Sequence, residues 1–299
     1  MNRIVLFVFA GRRENMDIQR RYTNQLLDLH PGLEIHYWNM ARNDADRRFV
    51  NSLADDRHKI IDGGRQRRGQ YEQPWRYYAA DESYSDAVFV KMDDDVLWFE
   101  VEHFGDFVAL LADSDRPVSA LVTNNVVCAK HDPDLGPQLR DRFSIGPIDD
   151  PGACEDWWFH HTNPLFALES HEWLLDNIDR LPRYDRVESS LCADPNQREK
   201  VSINLVGMSH RVLRMVAALT NGSAFARRMR DEFPPRTIIA TRGFGDEGAV
   251  DALLPYIYLG LRAAHLSFGP QERALGERLL GEIRARYAQL TIAAVEPVA

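Results

Sequence analysis

Cysteine is scarce in this chain, with three among 299 residues, and Cys128, Cys154 and Cys192 form no Cys-x-x-Cys pair. That usage signals neither a disulfide framework nor a zinc site, and it fits a reducing compartment. An excess of positive charge is also missing. Lys and Arg number 36 against 45 Asp and Glu, a formal net charge of −9, whereas neutralising a nucleic-acid backbone needs a basic face, so nucleic acid is disfavoured as the main ligand. The apolar run from Ile4 to Ala10 is too short to cross a bilayer and meets Arg12 and Arg13 at once. A soluble, cytoplasmic protein without an integral membrane segment is therefore expected. Internal repeats and low-complexity stretches are absent as well, which leaves one domain with a substantial core at 44% apolar composition.

What is present most clearly is the run Val88-Phe89-Val90-Lys91-Met92-Asp93-Asp94-Asp95-Val96. An apolar strand driven into three consecutive carboxylates places acceptor-only oxygens at the mouth of a sheet, where hard divalent cations bind. Mg²⁺ or Mn²⁺ carrying phosphate is the natural occupant. Without a cation, three adjacent aspartates repel one another, and a bound cation favours all of them ionised. A solvated acidic turn is the bland alternative, disfavoured by the apolar strand that precedes it.

Along the chain, Arg3 to Ala10 reads as a strand covered on both faces, Asp17 to His30 as a helix stopped by Pro31-Gly32, and Leu33 to Trp38 as a second strand. Helices are expected over Asp44 to Leu53 and Gln73 to Ala80, strands over Asp86 to Met92 and Pro117 to Val122, and a glycine-rich loop over Asp62 to Gly69. This alternation predicts an α/β fold on a mostly parallel, doubly wound sheet, with ligands outside the carboxyl ends of the strands. Farther on, the pattern is less regular. A strand-like stretch at Lys200 to Met208 precedes an amphipathic helix at Val212 to Leu219; Ala249, Leu253, Leu254 and Ile257 mark another helix; and Leu275, Leu279, Leu280, Ile283 and Tyr287 form the stripe of a closing helix. The chain thus divides into a nucleotide-binding half (1–125), an acceptor and catalytic half (126–270), and a C-terminal packing helix and tail (271–299).

Several of these elements together resemble the GT-A-fold glycosyltransferases that carry an Asp-x-Asp motif. They are the opening strand leading to Gly11-Arg12-Arg13, Trp38-Asn39, the aromatic helix Trp75-Arg76-Tyr77-Tyr78, Lys91 to Val96, Ser202-Ile203-Asn204, Gly245-Asp246-Glu247 and His265 to Gln271. The resemblance runs from the first strand to about Gln271. It implies a Rossmann-like sheet and a metal that bridges a nucleotide-sugar diphosphate. It makes Asp95 the direct metal ligand, Asp93 a ribose or water-mediated metal contact, and His265 a second direct ligand; Asp94 stands with Asp93 among the cofactor-binding candidates. The implied activity is sugar transfer from a nucleotide-sugar donor, UDP-sugar first, to the hydroxyl of a glycan, protein or small-molecule acceptor.

Further candidates surround this core. Ala10, Gly11 and Arg12 are placed beside the nucleobase, with the glycine allowing close backbone approach and the arginine stacking or meeting phosphate; Asn39, Arg42 and Lys91 are donor-site candidates. Asp246-Glu247 at a helix N-terminus suits a catalytic base or acceptor contact, and equally an ordinary N-cap. Arg65, Arg67 and Arg68 could form a lid or a solvated loop. The Trp157-Trp158 pair offers either an acceptor platform or core packing, and His160-His161, in an extended segment, would point to opposite sides. Three other readings compete: a nucleotidyltransferase making sugar nucleotides, a domain binding sugar nucleotide or glycan without turnover, and a phosphatase with paired aspartates after a strand. The phosphatase fits poorly with Lys91 inside the strand and Leu97 after it.

Overall fold

A computed structural model describes residues 3–64, 70–145, 157–189, 201, 203–220 and 245–291. The opening strand β1 (Ile4–Ala10) leads into α1 (Arg13–Leu29), which starts four residues before the expected Asp17. Next come β2 (Leu33–Asn39), α2 (Asp44–Asn51), β3 (His58–Asp62), α3 (Gln73–Ala80) and β4 (Val88–Asp93). The chain continues through β5 (Val96–Phe99), α4 (Phe104–Asp113), β6 (Val118–Thr123), α5 (Val126–His131) and α6 (Leu135–Phe143). Then follow α7 (Trp157–Thr162), α8 (Pro164–Asn177), β7 (Val187–Ser189), β8 (Leu205–Ser209), α9 (His210–Leu219), α10 (Asp246–Asp251), β9 (Tyr256–His265) and α11 (Gly269–Gln289).

The strands form one sheet in the order β3-β2-β1-β4-β8-β6-β9-β5, with β7 added to β9. Pairing is parallel for β1 with β2 and β4, for β2 with β3 and for β6 with β9, and antiparallel for β8 with β4 and β6 and for β9 with β5 and β7. The α/β class is as expected, and the sheet is mixed rather than purely parallel, with β5, β7 and β8 running against the other strands. β8 enters between β4 and β6 against their direction, because it starts beside Asp93 at the carboxyl end of β4, where Asp93 N–H donates to Asn204 O.

The alternation of side chains along β1 explains why its whole length is apolar. Leu6, Val8 and Ala10 face Met16, Tyr22 and Leu26 of α1, whereas Val5, Phe7 and Phe9 face Trp75 and Tyr78 of α3 and Val212 of α9. Both faces are covered, so every position must be apolar. The sheet also has to curl. Asp93 and Val96 end and begin strands four places apart in the strand order, roughly 19 Å if the sheet were flat, yet three residues can span only about 10 Å. The curl brings the end of β9 back beside the end of β4, with Val96 paired to His265.

Two expectations fail in the second half of the chain. Ile257 lies in β9, not in the helix expected around Ala249 to Ile257; that helix stops at Asp251, and Leu254 turns through a left-handed backbone (φ 53°) ahead of Pro255. His160 and His161 sit on the helix α7, not in an extended segment. No helix among the described residues is long and apolar enough to cross a membrane.

Gly207 in β8 is a point where the packing leaves no room. A Cβ there would stand 2.3 Å from Leu111 Cδ1 and 3.0 Å from Phe107 Cε1, both on α4 in the core. Gly207→Ala is expected to cost about 1–3 kcal/mol through overpacking. Thermal denaturation should show this as a lower Tm with the same folded spectrum.

Candidate active site

The carboxyl ends of β1, β2, β4 and β9 and the start of β8 meet at one edge of the sheet. There they enclose a cavity of about 390 Å³. Its walls include Ala10, Gly11, Arg12, Arg42, Lys91 and the three aspartates 93–95, together with His265, Asp246 and Glu247. With Phe9 and Glu272 also in its lining, residues up to 263 positions apart in sequence are thereby gathered into one space. Asn39 alone of the expected donor-site residues does not line it: its buried amide bonds Arg47 O (3.0 Å) and Asn51 Oδ1 (2.8 Å), fastening β2 to α2. Gly11 uses its missing side chain against protein, since a Cβ would lie 3.3 Å from Ala41 Cα and 3.5 Å from Asp94 Oδ2.

The aspartates carry their own counter-ions. Lys91, buried and two residues along the same strand face, donates from Nζ to Asp93 Oδ1 and to Ile203 O, both at 2.6 Å. Asn204 Nδ2 donates to Asp93 Oδ2 at 3.2 Å, and is itself fixed through Asn125 (2.8 Å). Arg12 serves the other two. Its backbone N–H donates to Asp94 Oδ2 (2.7 Å), its Nε and Nη2 to Asp94 Oδ1 (2.9 and 2.5 Å), and Nη2 also lies 2.6 Å from Asp95 Oδ2. Its Nη1 reaches Glu272 Oε1 at 2.9 Å. His265 Nε2 stands 3.3 Å from Asp95 Oδ2.

Burial and these partners drive the three carboxyls apart. Burial raises Asp93 and Asp94 above the usual range, against the pull of Lys91 and Arg12 respectively. At Asp95 burial also pushes upward, but Arg12 and His265 together outweigh it and hold this carboxyl well below the usual range. Asp95 is thus the member most firmly ionised.

Among the described residues no three His, Cys, Asp or Glu side chains converge as a finished metal cage. Asp95 and His265 do offer the beginnings of one. Asp95 Oδ1 is buried and meets no hydrogen-bond donor, and His265 presents Nε2 to the other oxygen of the same carboxylate, so a hard oxygen and an imidazole stand side by side. That donor set fits a Mg²⁺- or Mn²⁺-type ion, which keeps several positions for phosphate and water. Asp93, with both oxygens engaged, is not free in the same way.

The turn that follows His265 at the end of β9 is tied down by hydrogen bonds. Asn124, in a left-handed conformation (φ 59°), donates to His265 O, Leu266 O and Gln271 Oε1, and Gln271 Nε2 donates to Asn124 Oδ1 and to His160 O at 2.6 Å. Phe268 packs between His265 and His161, with ring centroids 4.4 and 3.7 Å away. His161 therefore supports the cavity wall. The side chains of Trp157 and Trp158, and Arg65, Arg67 and Arg68, lie outside the described residues.

The cavity also has apolar lining, from Phe9, Met40, Tyr71 and Ile203, with the Phe9 ring 4.8 Å from Lys91 Nζ. Tyr71 is 39% exposed, and its ring lies 5.8 Å from that of Phe9. Neither Tyr71 nor Glu272 was marked by local spacing. Tyr71 sits beside a polar loop, and Glu272 looks like the ordinary first-turn acid of α11. Asp246 opens α10 after Gly245; burial, and next the neighbouring Glu247, push its carboxyl up to about 7. It keeps contact with solvent only in part, at the cavity wall.

No family model matches the chain, and no curated protein sequence matches it. Solved structures with some likeness include glucosyl-3-phosphoglycerate synthase from Mycobacterium tuberculosis in complex with Mn²⁺, UDP and phosphoglyceric acid. It shares 13% identity over 98% of this chain and 80% of that one, with a TM-score of 0.40. Another is 4-diphosphocytidyl-2C-methyl-D-erythritol synthase from Anaerococcus prevotii, at 12% identity over 40% of this chain, with a TM-score of 0.29. The match spans 54% of that synthase. The cavity itself therefore carries the functional reading.

Proposed function

We propose that this protein is a metal-assisted glycosyltransferase that moves a sugar from a nucleoside-diphosphate donor, UDP-sugar first, to a hydroxyl acceptor. The observation that carries this reading is the set of groups gathered in one cavity: apolar and aromatic faces at Phe9, Met40 and Tyr71, a cluster of carboxylates with embedded cations, and a carboxyl poised near neutrality. A nucleotide sugar presents a flat base, a diphosphate and a sugar, one for each.

Phe9, Met40 and Tyr71 supply apolar faces for a base. Asp95 and His265 would hold the divalent ion, which when bound takes up charge developing on the leaving diphosphate. Arg12 and Lys91 add positive charge to the same region and hold Asp94 and Asp93 respectively in place. Asp246 accepts the proton of the acceptor hydroxyl, a role for which a pKa near the working pH is best. Glu247, beside it, both raises that pKa and offers a second carboxylate to sugar hydroxyls. A base at this place suits direct displacement with inversion at the anomeric carbon.

The test is a panel of UDP-, GDP-, CMP- and dTDP-sugars incubated with and without Mn²⁺, reading release of free sugar. Slow hydrolysis of one donor, dependent on Mn²⁺, is expected. Failure of every nucleotide to bind would remove the reading. Tyr71→Ala is expected to weaken UDP binding by about tenfold or more, the worth of one base–aromatic contact. Titration calorimetry should show this with Mn²⁺ affinity unchanged.

A further inference from the structure

Resting on the reading above, we infer that Arg12 is a built-in cation that competes with the divalent ion for Asp95, so that metal loading requires the guanidinium to leave Asp95 while Asp94 and Glu272 retain it. Three observations carry this. First, the carboxylate best suited to hold a metal has one oxygen without a partner and the other engaged by Arg12 at 2.6 Å. A cation already stands where one is needed. Second, Arg12 is anchored independently of Asp95. Its backbone N–H and Nε both bond Asp94, and Nη1 bonds Glu272 at 2.9 Å, so giving up Asp95 leaves the guanidinium with two carboxylates. Third, the Arg12 side chain is 38% exposed, whereas that of Asp95 is 6% exposed. The arginine can shift toward the cavity without disturbing the core, and the aspartate cannot.

Glu272 gains a role from this arrangement. Placed on the first turn of α11, with Ser267 Oγ at 3.4 Å, it is the carboxylate that holds Arg12 at the cavity wall after exchange. Arg12 then remains beside the diphosphate as a second positive charge instead of being lost to solvent. Without metal, the same residue spares Asp95 the cost of an unpaired buried charge.

The experiment is a Mn²⁺ titration of the nucleotide-free protein, read by the electron paramagnetic resonance signal of free Mn²⁺. Wild type is compared with Arg12→Gln, Arg12→Lys and Arg13→Gln. Arg13 is 63% exposed on its side chain and pairs with Asp17, so its loss changes net charge equally without touching the aspartates. Arg12→Gln is expected to tighten Mn²⁺ binding about tenfold, a difference of about 1.4 kcal/mol. Arg13→Gln should leave it within about twofold, as expected for a screened surface charge. Arg12→Lys, which keeps the charge but cannot fork across two carboxylates, should fall between wild type and Arg12→Gln, and it carries the test should the glutamine variant fail to fold. Equal tightening in Arg12→Gln and Arg13→Gln, or no tightening in either Arg12 variant, would overturn the inference. UDP binding without metal is measured on the same samples. Retained UDP binding with no Mn²⁺ binding in any variant defeats the exchange alone, and loss of both defeats the glycosyltransferase reading too.

Discussion

Asp95→Asn should reduce kcat/KM for sugar transfer by about 10³-fold or more, since it removes the anionic oxygen that would hold the charge-stabilising metal. Asparagine preserves the shape, and Arg12 keeps Asp94 and Glu272 as partners, so the variant should fold with a near wild-type circular dichroism spectrum. Mn²⁺ binding should be lost with activity, while metal-free affinity for the nucleoside changes little. An Asp95→Asn protein that still transfers sugar at more than a tenth of the wild-type rate would show that the carboxylate is structural. Steady-state kinetics beside a metal titration separates the two outcomes.

Asp246→Asn should lower kcat by about 10²- to 10⁴-fold, the usual worth of a positioned general base, with little change in donor KM. The pH dependence carries the sharper test. With Asp246 raised to about 7 by burial and by Glu247, the wild-type log kcat/KM should climb as pH rises toward 7 and flatten above it, because only the deprotonated carboxylate can accept a proton. In the asparagine variant the residual rate should lack this limb. Stability moves in the opposite direction. Between the ordinary aspartate range and about pH 7 the folded chain keeps a proton that the unfolded chain has released, so the contribution of Asp246 to stability is full at low pH and is lost as pH rises to 7. Denaturant melts at pH 5 and 8 should show a smaller difference in Asp246→Asn than in wild type, the remainder coming from groups such as Glu100, which burial also raises to about 7.

How much of this was legible beforehand follows from where each signal lies. β1 and β4 announce themselves because strands covered on both faces must be apolar throughout, and the carboxylates are conspicuous because they interrupt such a run. The Lys91–Asp93 contact was readable in principle, since residues two apart on a strand share a face. The sequence places Arg12 near the nucleotide, but its actual partners, 82 and 260 residues away, depend on the curl of the sheet, which no local pattern encodes. Repulsion among the aspartates is accordingly relieved within the protein, where the sequence suggested a metal alone. β9 was missed because Ala249, Leu253, Leu254 and Ile257 mimic a helical stripe; the break at Pro255 was the available sign. The antiparallel entry of β8 is likewise a matter of long-range pairing. Asn39 had the right place at the end of a strand, but its amide turned inward to α2.

The most direct test of the account is a crystal structure of the protein with UDP and Mn²⁺. The account predicts the uracil against Phe9 and Tyr71, the diphosphate over the carboxylates, and the ion on Asp95 and His265. A nucleotide bound elsewhere, or an ion seated away from Asp95, would contradict it.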